Sequence, residues 1–403
     1  MKILFLSTWY PFPPNNGSKI RAYHLLKALG ANHDVTVVAF HPQDDGPALH
    51  SNLTRVVAYP VEADPYRYVR LPQCIKYISP VPLAFWPSEA MRKATARIAT
   101  EEHWDAIVAY EPPVARHALG WADTPRVLEI DTSLAFQMHE RYVQSSALFA
   151  RVRAWASWKK AYEYERRLFS KFQVCTVAAQ QEVRFVEQMV DGTQAHVRLL
   201  SNGVDCLRNR PVYKAIDNTL IYNGALTYSA NYDAMQYFTK DILPLIRQSV
   251  ADVTLTITGS TTGVDLRGLA LDGSVRLSGY VEDIRPVVGS ASICVVPLRQ
   301  GSGTRVKILE AMALGVPVIS TRKGSEGLEA VDGEHLVLAD TPAAFAEATV
   351  HLLQHPDVRQ GLAARARKLV EERYDWAQIG EQFVKLVEDI VAARAKERRS
   401  VRV

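Results

Sequence analysis

Long apolar runs are missing from this chain. No segment approaches the roughly 18 apolar residues that a membrane-spanning helix requires. The opening MKILFLSTWY runs into WYPFPP before it reaches the apolar length of a signal peptide. The sequence therefore predicts a cytoplasmic protein without a membrane span.

Cysteine is scarce as well. The four cysteines, Cys74, Cys175, Cys206 and Cys294, are scattered without paired spacing. That distribution argues against a disulfide framework and against a zinc site. We interpret them as buried thiols and expect no metal site.

The chain has little excess charge of either sign. Its 47 Lys and Arg against 43 Asp and Glu leave a net charge of +4, which is too small to indicate binding to nucleic acid. The apolar fraction of 48% and the charged fraction of 22% are typical of a soluble globular protein. Because 403 residues exceed one ordinary core, we expect two domains.

The first predicted strand, Lys2–Ser7, is not followed by the GxGxxG spacing of a nicotinamide-dinucleotide fold. Three prolines forbid a helix before Asn15, and the run NNGS at 15–18 supplies turn residues and an N-cap for the next helix. Gly17 lets a ligand approach the backbone closely. A plain strand-to-helix connection explains the same pattern.

A second candidate site follows the strand predicted at Arg126–Ile130. Asp131 stands where this strand gives way to a loop. Ligands of open α/β sheets bind at the carboxyl ends of the strands, which favours a functional role. Asp131 is equally suited to capping the helix that begins near Leu134.

Strands and helices alternate along the whole chain, which predicts an α/β protein with two open parallel-sheet domains. We place an N-terminal domain at 1–205, a linker at 206–217 and a C-terminal domain at 218–374. Residues 375–403 form a long amphipathic helix that returns to the N-terminal domain and ends in a disordered basic tail. Two such domains imply a cleft between them.

The segment 301–321 reads as a glycine loop, a helix and a strand. Free backbone N–H groups at the start of a helix, together with its dipole, favour an anion. Arg305 and Lys307 add positive charge there, and Glu310, a little over one turn beyond Arg305, could accept hydrogen bonds from a sugar diol. The pattern also fits a surface helix on which Glu310 is solvated or paired with either cation.

Basic and aromatic residues are concentrated between Arg141 and Phe172. On a helix, Trp155, Trp158, Tyr162 and Phe169 fall on one stripe with basic flanks. Such a stripe is typical of a helix that lies on an anionic membrane surface. It is also typical of a long helix packed on its own domain with snorkelling basic residues.

Five segments of the chain occur in the order found in one enzyme family. They are PPNNGSKIR at 13–21, SNGVD at 201–205, YNGALTYSANYDAM at 222–235, LSGYVEDI at 277–284 and the 301–321 segment through LEAMALGVPVIS. With them, the chain resembles a retaining GT-B glycosyltransferase of the group-1 family (glycosyltransferase family 4) over essentially its whole length.

The resemblance implies two Rossmann-like domains that face each other across a cleft. A nucleotide-diphosphate sugar would be held mainly by the C-terminal domain, and the acceptor mainly by the N-terminal one, without a metal ion or another cofactor. It also implies a lipid-linked or polysaccharide glycan as acceptor, at the inner face of a membrane.

Site residues carry over by position. Gly17 and Ser18 match the glycine pair that meets the donor phosphates, Gly224 matches the glycine after the first donor-domain strand, and Glu310 matches the ribose-binding glutamate. The remaining donor-side candidates are Gly259, Tyr280 and Val281 near the base, and Ser302, Gly303 and Thr304 in the loop.

The chain departs from the family pattern at three places. Ser302 replaces the first acid of the paired-glutamate motif, no arginine or lysine follows Gly224 until Lys240, and Asp131 replaces a histidine that contacts the donor sugar. We infer that Arg305 and Lys307 neutralise the leaving diphosphate instead. Accordingly, Lys307→Ala should lose turnover more than stability. Asp131 would orient a sugar hydroxyl or accept the acceptor's proton.

Two alternatives remain open at this point. Ser302 in place of the acid is compatible with a glycan- or nucleotide-binding subunit that has lost catalysis. A nucleotide-sugar epimerase shares the two-sheet architecture, but the acid/base carboxylates and histidines that it needs are not evident in the sequence.

Overall fold

Both halves of the chain fold around a parallel sheet in the computed structural model. The chain divides into a first unit, Met1–Ser201 with Ile379–Val403, and a second unit, Asn202–Gln378. The structure describes residues 1–14, 16–40, 55–61, 79, 81–85, 88–101, 103–301 and 305–400. Within those ranges, no helix is both long and apolar enough to cross a membrane.

The first unit contains a seven-stranded parallel sheet in the described part of the chain, with the order β3-β2-β1-β4-β5-β6-β7. Its strands are β1 (Lys2–Ser7), β2 (Asp34–Phe40), β3 (Val56–Val61), β4 (Ala106–Tyr110), β5 (Arg126–Glu129), β6 (Val174–Val177) and β7 (His196–Leu199). The central strands β1 and β4 are almost continuously buried, which explains their nearly unbroken apolar sequences.

Helices of the first unit connect these strands. They are α1 (Gly17–Asn32), α2 (Glu89–Glu101), α3 (Pro112–Ala115), α4 (Leu134–Gln144), α5 (Leu148–Phe169) and α6 (Gln180–Val190), with short 3₁₀ turns at Leu83–Phe85 and Arg116–Gly120. The predicted N-cap of α1 is confirmed, because the Asn16 side chain accepts a hydrogen bond from the Lys19 N–H at 3.0 Å.

The second unit contains a six-stranded parallel sheet among the described residues, with the order β10-β9-β8-β11-β12-β13. Its strands are β8 (Thr219–Asn223), β9 (Thr254–Thr258), β10 (Val275–Gly279), β11 (Ile293–Val296), β12 (Val318–Ser320) and β13 (Val337–Leu338). Its helices are α7 (Ser229–Tyr237), α8 (Leu243–Arg247), α9 (Arg285–Gly289), α10 (Val306–Ala313), α11 (Pro342–Gln354) and α12 (Pro356–Arg373), with a π turn at Phe238–Ile242 and a 3₁₀ turn at Leu266–Gly268.

The last helix, α13 (Trp376–Ser400), begins in the second unit and continues on the first. Its Ile379, Phe383 and Val387 are fully buried. The prediction of a disordered basic tail is wrong as far as Ser400, since the helix continues to that residue. Residues 206–217, which the sequence suggested as a linker, lie within the second unit.

In each sheet the strand order reverses once, between β1 and β4 in the first and between β8 and β11 in the second. At such a reversal, the loops after the two neighbouring strands diverge and leave a crevice at their carboxyl ends. The topology therefore predicts one ligand site after β1 and β4, and another after β8 and β11.

Candidate functional site

The reversal point of the second sheet places Lys307 beside the end of β8. Lys307 Nζ donates hydrogen bonds to the Tyr222 hydroxyl at 2.7 Å and to Asn231 Oδ1 at 2.9 Å, and it lies 4.0 Å from the centroid of the Tyr222 ring. Burial lowers the pKa of Lys307 to about 7. A desolvated ammonium at a strand end is suited to an anionic ligand.

Tyr222 and Asn231 hold this lysine. The Tyr222 hydroxyl donates to Asn231 Oδ1 at 2.6 Å, and Asn231 Nδ2 donates to the carbonyl of Ala225 at 2.9 Å. Both residues belong to the 222–235 segment, but the sequence pattern predicts no role for either. Their polarity at otherwise apolar positions was the only signal available.

Two glycines allow the chain to pack closely around Lys307. A Cβ on Gly224 would lie 2.7 Å from Lys307 Nζ. Gly259, which follows β9, has φ +101°, and a Cβ there would lie 2.6 Å from the Ala225 backbone. A side chain at Gly224 would displace Lys307 and Asn231, and one at Gly259 would press on the backbone that follows β8.

Glu310 lies one turn further along α10 and is held by the same strand end. Its Oε2 accepts a hydrogen bond from Asn223 Nδ2 at 2.9 Å, and Asn223 is the last residue of β8. Burial raises the pKa of Glu310 to about 7. The predicted alternative, in which Glu310 pairs with Arg305 or Lys307, is not what holds the carboxylate here.

Arg305 stands at the N-cap of α10 and is buried. Its Nη2 donates to the carbonyl oxygens of Gly301 and Lys323, at 2.7 and 3.1 Å. The guanidinium therefore connects Gly301 with Lys323. Ser302, Gly303 and Thr304, the other predicted residues of that loop, lie outside the described residues.

The candidates for contacts to a base follow β10. Gly279 ends this strand with φ +68°, and the next residue, Tyr280, is 74% exposed, while Val281 is half-buried. The Gly279 carbonyl accepts a hydrogen bond from the Gly259 N–H at 2.8 Å. Tyr280 thus presents an open aromatic surface beside Gly259.

Asp131 lies at the carboxyl end of β5, the strand next to the reversal point of the first sheet. Asp131 follows β5 with φ +55°, a conformation that is rare for residues other than glycine and that clusters at functional sites. The Ser18 hydroxyl donates to Asp131 Oδ2 at 3.2 Å. The alternative in which Asp131 caps the next helix is wrong, because Ser133 caps α4 through the Phe136 N–H.

Gly17 and Ser18 form the start of α1 at the same edge. Gly17 is exposed, and a Cβ on it would meet nothing within 4 Å among the described atoms. The Ser18 carbonyl accepts from the Tyr110 hydroxyl at 2.7 Å. Ser18 and Asp131 are brought together in the first unit, which also contains Gly17, whereas the other described candidates lie in the second.

Sequence reasoning missed Glu111, which follows β4 with φ +69°. Trp9 Nε1 donates to Glu111 Oε1 at 3.1 Å. Burial, followed by the nearby Asp131, raises the pKa of Glu111 to about 8. A lone glutamate before two prolines carries no sequence pattern that identifies it.

Both carboxylates open into one cavity of about 360 Å³ in the first unit. Its lining residues are Ser18, Ala84, Phe85, Glu111, Pro112, Pro113, Ile130, Asp131, Thr132, Leu134 and Gln137. The cavity combines hydrogen-bond acceptors with an apolar wall, a combination typical of small-molecule sites.

Two family models match the chain. The glycosyl transferase 4-like domain matches residues 16–203, and the model for glycosyl transferases group 1 matches residues 217–355. The two matches follow one another and together span most of both units. The chain belongs to the group-1 glycosyltransferases.

The matches between this glycosyltransferase and its relatives differ in the share of each chain that they cover. It is 26% identical to the glycogen synthase of Mycobacterium tuberculosis, with 94% of this chain and 92% of the relative covered. It is 30% identical to the phosphatidyl-myo-inositol mannosyltransferase of Mycobacterium leprae over 49% of this chain. That match spans about half of the mannosyltransferase, 54% of its length.

Solved structures share the fold of this glycosyltransferase. A sucrose-phosphate synthase from Thermosynechococcus elongatus has a TM-score of 0.73 at 17% identity, with 98% of this chain and 100% of that chain covered. HepE from Anabaena, solved with UDP and glucose, has a TM-score of 0.65 at 14% identity, with 96% and 99% covered. The two parallel-sheet units are therefore those of the GT-B fold.

Proposed function

We propose that this glycosyltransferase moves a sugar from a nucleotide-diphosphate sugar to a hydroxyl of a glycan acceptor. The acceptor is a polysaccharide or a lipid-linked glycan, and the reaction retains the anomeric configuration without a metal ion. The observation that carries the proposal is the half-buried Lys307, held against the end of β8 beside Gly224 and within one turn of Glu310.

The donor half of the proposal is supported by the charges around α10. A leaving diphosphate must be neutralised, and a desolvated ammonium is far more effective than one in water. Lys307 supplies this charge, and the nearby Arg305 guanidinium adds positive potential. Glu310, already accepting from Asn223, has a second oxygen available in its carboxylate for ribose hydroxyls.

The acceptor half is supported by the cavity of the first unit. The carboxyl groups of Asp131 and Glu111 can each accept hydrogen bonds from sugar hydroxyls, and Glu111, whose pKa burial raises to about 8, can also donate one. Phe85, Pro112 and Pro113 provide an apolar wall for the C–H face of a sugar ring. Among the described residues that line the cavity, none is cationic, which favours a neutral glycan over a phosphate at the attacking hydroxyl.

The proposed cellular location and the proposed reaction mechanism are those that the resemblance to the family implies. A cytoplasmic site of action agrees with the cysteines, since Cys175, Cys206 and Cys294 are buried free thiols. The absence of a metal would be tested by turnover in excess EDTA. Retention would be tested by proton NMR of the glycoside product, whose anomeric signals show whether the new linkage has the anomeric configuration of the donor.

Donor binding is tested by melting the protein with UDP, GDP, ADP and dTDP, first without metal and then with magnesium. A nucleotide at about 100 times its Kd should raise the melting temperature by several degrees. Glu310→Gln should weaken binding of that nucleotide about tenfold, since it loses a charge-assisted hydrogen bond. The matched control is Glu347→Gln, an exposed glutamate on α11, which should bind normally.

Acceptor binding is tested with the donor that the melting series identifies. Glu111→Gln should raise the acceptor KM or remove transfer, while slow hydrolysis of the donor by water stays unchanged. Glu187→Gln, on the exposed face of α6 in the same unit, is the control. Equal losses of hydrolysis and transfer in Glu111→Gln would contradict the assignment of this cavity to the acceptor.

One observation favours a second candidate, a GT-B subunit that binds a nucleotide or glycan without catalysis. Ser302 stands where the family carries the first acid of its glutamate pair. Donor hydrolysis distinguishes the two: a binding subunit would show a thermal shift with a nucleotide but no release of sugar from the matching nucleotide sugar.

A further inference from the structure

The first unit carries a helical hairpin whose tip is apolar and exposed. We define the hairpin as α4, residues 145–147 and α5. The buried residues of α5 all lie in its last nine positions, from Ala161 onward, and in α4 only Ala135 is buried. The base of the hairpin is therefore anchored on the core, while its other end is not.

The two helices hold each other through aromatic contacts. The Trp158 ring stacks on Tyr142 with centroids 5.6 Å apart and an interplanar angle of 17°, and it lies 4.7 Å from His139. Trp158 and Tyr162 thus face α4 and the core, as the packing interpretation of this stripe predicts. Trp155, one turn earlier on the stripe, is not enclosed.

Large apolar side chains cover the tip. Leu148 is 79% exposed, Phe149 85%, Val152 56% and Trp155 47%, and Val143 at the end of α4 is 64% exposed. At helical spacing, Leu148, Val152 and Trp155 form one continuous stripe along α5, with Phe149 beside it. An exposed stripe of this kind indicates an interaction surface.

The charge around the stripe has one sign. Between Arg141 and Lys160 the chain carries five Lys and Arg and no Asp or Glu. Arg151 flanks the stripe on one side and Arg153 on the other, and Lys159 continues it toward the base; all three are exposed. The surface therefore needs an occupant that is negatively charged at its boundary and apolar beneath.

We propose that the hairpin tip docks on an anionic lipid bilayer, with Phe149 and Leu148 in the interface and the flanking cations at the headgroups. A second copy of the chain fits less well, because a symmetric contact through this surface would bring two sets of cations together. The inference goes beyond the proposed sugar transfer and does not depend on it.

The test is flotation of the purified full chain with vesicles of phosphatidylcholine alone, or of phosphatidylcholine with phosphatidylglycerol. Binding is expected only with the anionic lipid, and raising the salt from about 0.1 M to 0.5 M should weaken it, since surface charges are then screened. Equal binding to both kinds of vesicle would overturn the proposal.

Matched variants separate the apolar and the basic contributions. Phe149→Ser should weaken binding about tenfold, since it removes a large buried contact with the acyl boundary. Arg151→Ser with Arg153→Ser should lower it by a similar factor and flatten the salt dependence. Leu207→Ser, at a 73% exposed position of the second unit, should bind as the parent does.

Because these side chains are exposed, the variants should keep the parent melting temperature. Wild-type vesicle binding by Phe149→Ser would refute the proposal. The proposal would also be refuted if the parent protein bound no vesicles but formed a dimer in analytical ultracentrifugation, and if Phe149→Ser dissociated that dimer. A second copy of the chain would then occupy the surface.

Discussion

Lys307 is placed to carry a positive charge, yet it is half-buried, and burial disfavours the charged form. Its ammonium is half-buried among Tyr222, Asn231 and the backbone at Gly224, and burial lowers its pKa to about 7. A lysine with a lowered pKa is only partly protonated near pH 7, and its protonated form is the one that binds an anion best. Donor binding should therefore be linked to uptake of a proton at Lys307.

We predict that affinity for the intact nucleotide sugar falls as the pH rises above 7. The free site loses its charge there, whereas a bound diphosphate holds the proton, so the Kd should rise by up to about tenfold per pH unit. Calorimetric titration between pH 6 and 9 measures this. The nucleotide sugar is used because its phosphates do not titrate in that range.

Lys307→Arg provides the control, since a guanidinium keeps its charge throughout this range. Its affinity should vary little with pH, even if it is weaker overall. A pH dependence that persists in Lys307→Arg would assign the titration to another group, such as Glu310.

For single residues, the sequence predicted a role in the site only where the residue belongs to a motif. The 301–321 segment indicated Lys307 and Glu310, and the end of β5 indicated Asp131. Tyr222, Asn231 and Glu111 were missed because their roles arise from contacts with residues far away in the chain, such as Trp9 with Glu111. Spacing along a chain does not report such contacts.

At the scale of elements, the start of α4 is held by two buried carboxylates from other helices. Glu165 of α5 accepts from the N–H groups of Leu134 and Ala135 and from the Ser133 hydroxyl, and Glu182 of α6 accepts from the Ser133 N–H. Free N–H groups at a helix start favour such acceptors. This arrangement fixes the helix from which Leu134 and Gln137 line the cavity of the first unit.

Glu182→Gln should make the stability of the first unit less dependent on pH. Burial raises the pKa of Glu182 from 4.5 to about 8, so its contribution to stability is full below pH 4.5 and is lost as the pH rises toward 8. Glutamine keeps an oxygen for the Ser133 N–H without this titration. Melting temperatures measured from pH 5 to 8 should fall less steeply in the variant.

The exposed Glu187→Gln on the same helix should keep the parent slope. A slope that is unchanged in Glu182→Gln would show that Glu111 or Glu165, whose pKa values are also raised by burial, dominate the pH dependence.

Most elements could be predicted because their apolar periodicity is strong. The predicted strand Lys2–Ser7 has the bounds of β1, and the strand predicted at Arg126–Ile130 ends one residue beyond β5. The apolar pattern between Ser229 and Arg247 does not distinguish one long helix from the observed α7, π turn and α8, with Pro244 at the start of α8. A one-residue change in hydrogen-bond register leaves almost no trace in a periodic pattern.

At the scale of the whole molecule, the last helix completes the first unit. Its Glu388 pairs with His33 at 3.0 Å, and Arg398 Nη2 donates to the Asp123 carbonyl at 2.9 Å. Gly380 is buried against α1, where a Cβ would lie 2.6 Å from Ala28 Cβ. A small residue is therefore required where α13 crosses α1.

Gly380→Ala and Gly361→Ala should change stability in opposite directions. Both glycines lie inside helices, where alanine normally stabilises by about 0.5–1 kcal/mol. At Gly361 the new Cβ meets only the flexible end of Arg365, at 3.3 Å, whereas at Gly380 it meets Ala28. Gly380→Ala should cost about 1–3 kcal/mol through overpacking.

Differential scanning calorimetry measures both effects. Gly380→Ala should lower the transition of the first unit, and Gly361→Ala should raise that of the second. A stabilised Gly380→Ala protein would mean that α1 and α13 can separate without loss of packing.

The path of the chain also sets an order of events during synthesis. When Gln378 leaves the ribosome, the whole second unit has been synthesised, although synthesis of the first unit began earlier. The first unit still lacks Ile379, Phe383 and Val387, which its core encloses. The part of the protein that is made first is thus the last that can finish folding, and a stalled or truncated chain would leave it exposed to proteases and chaperones.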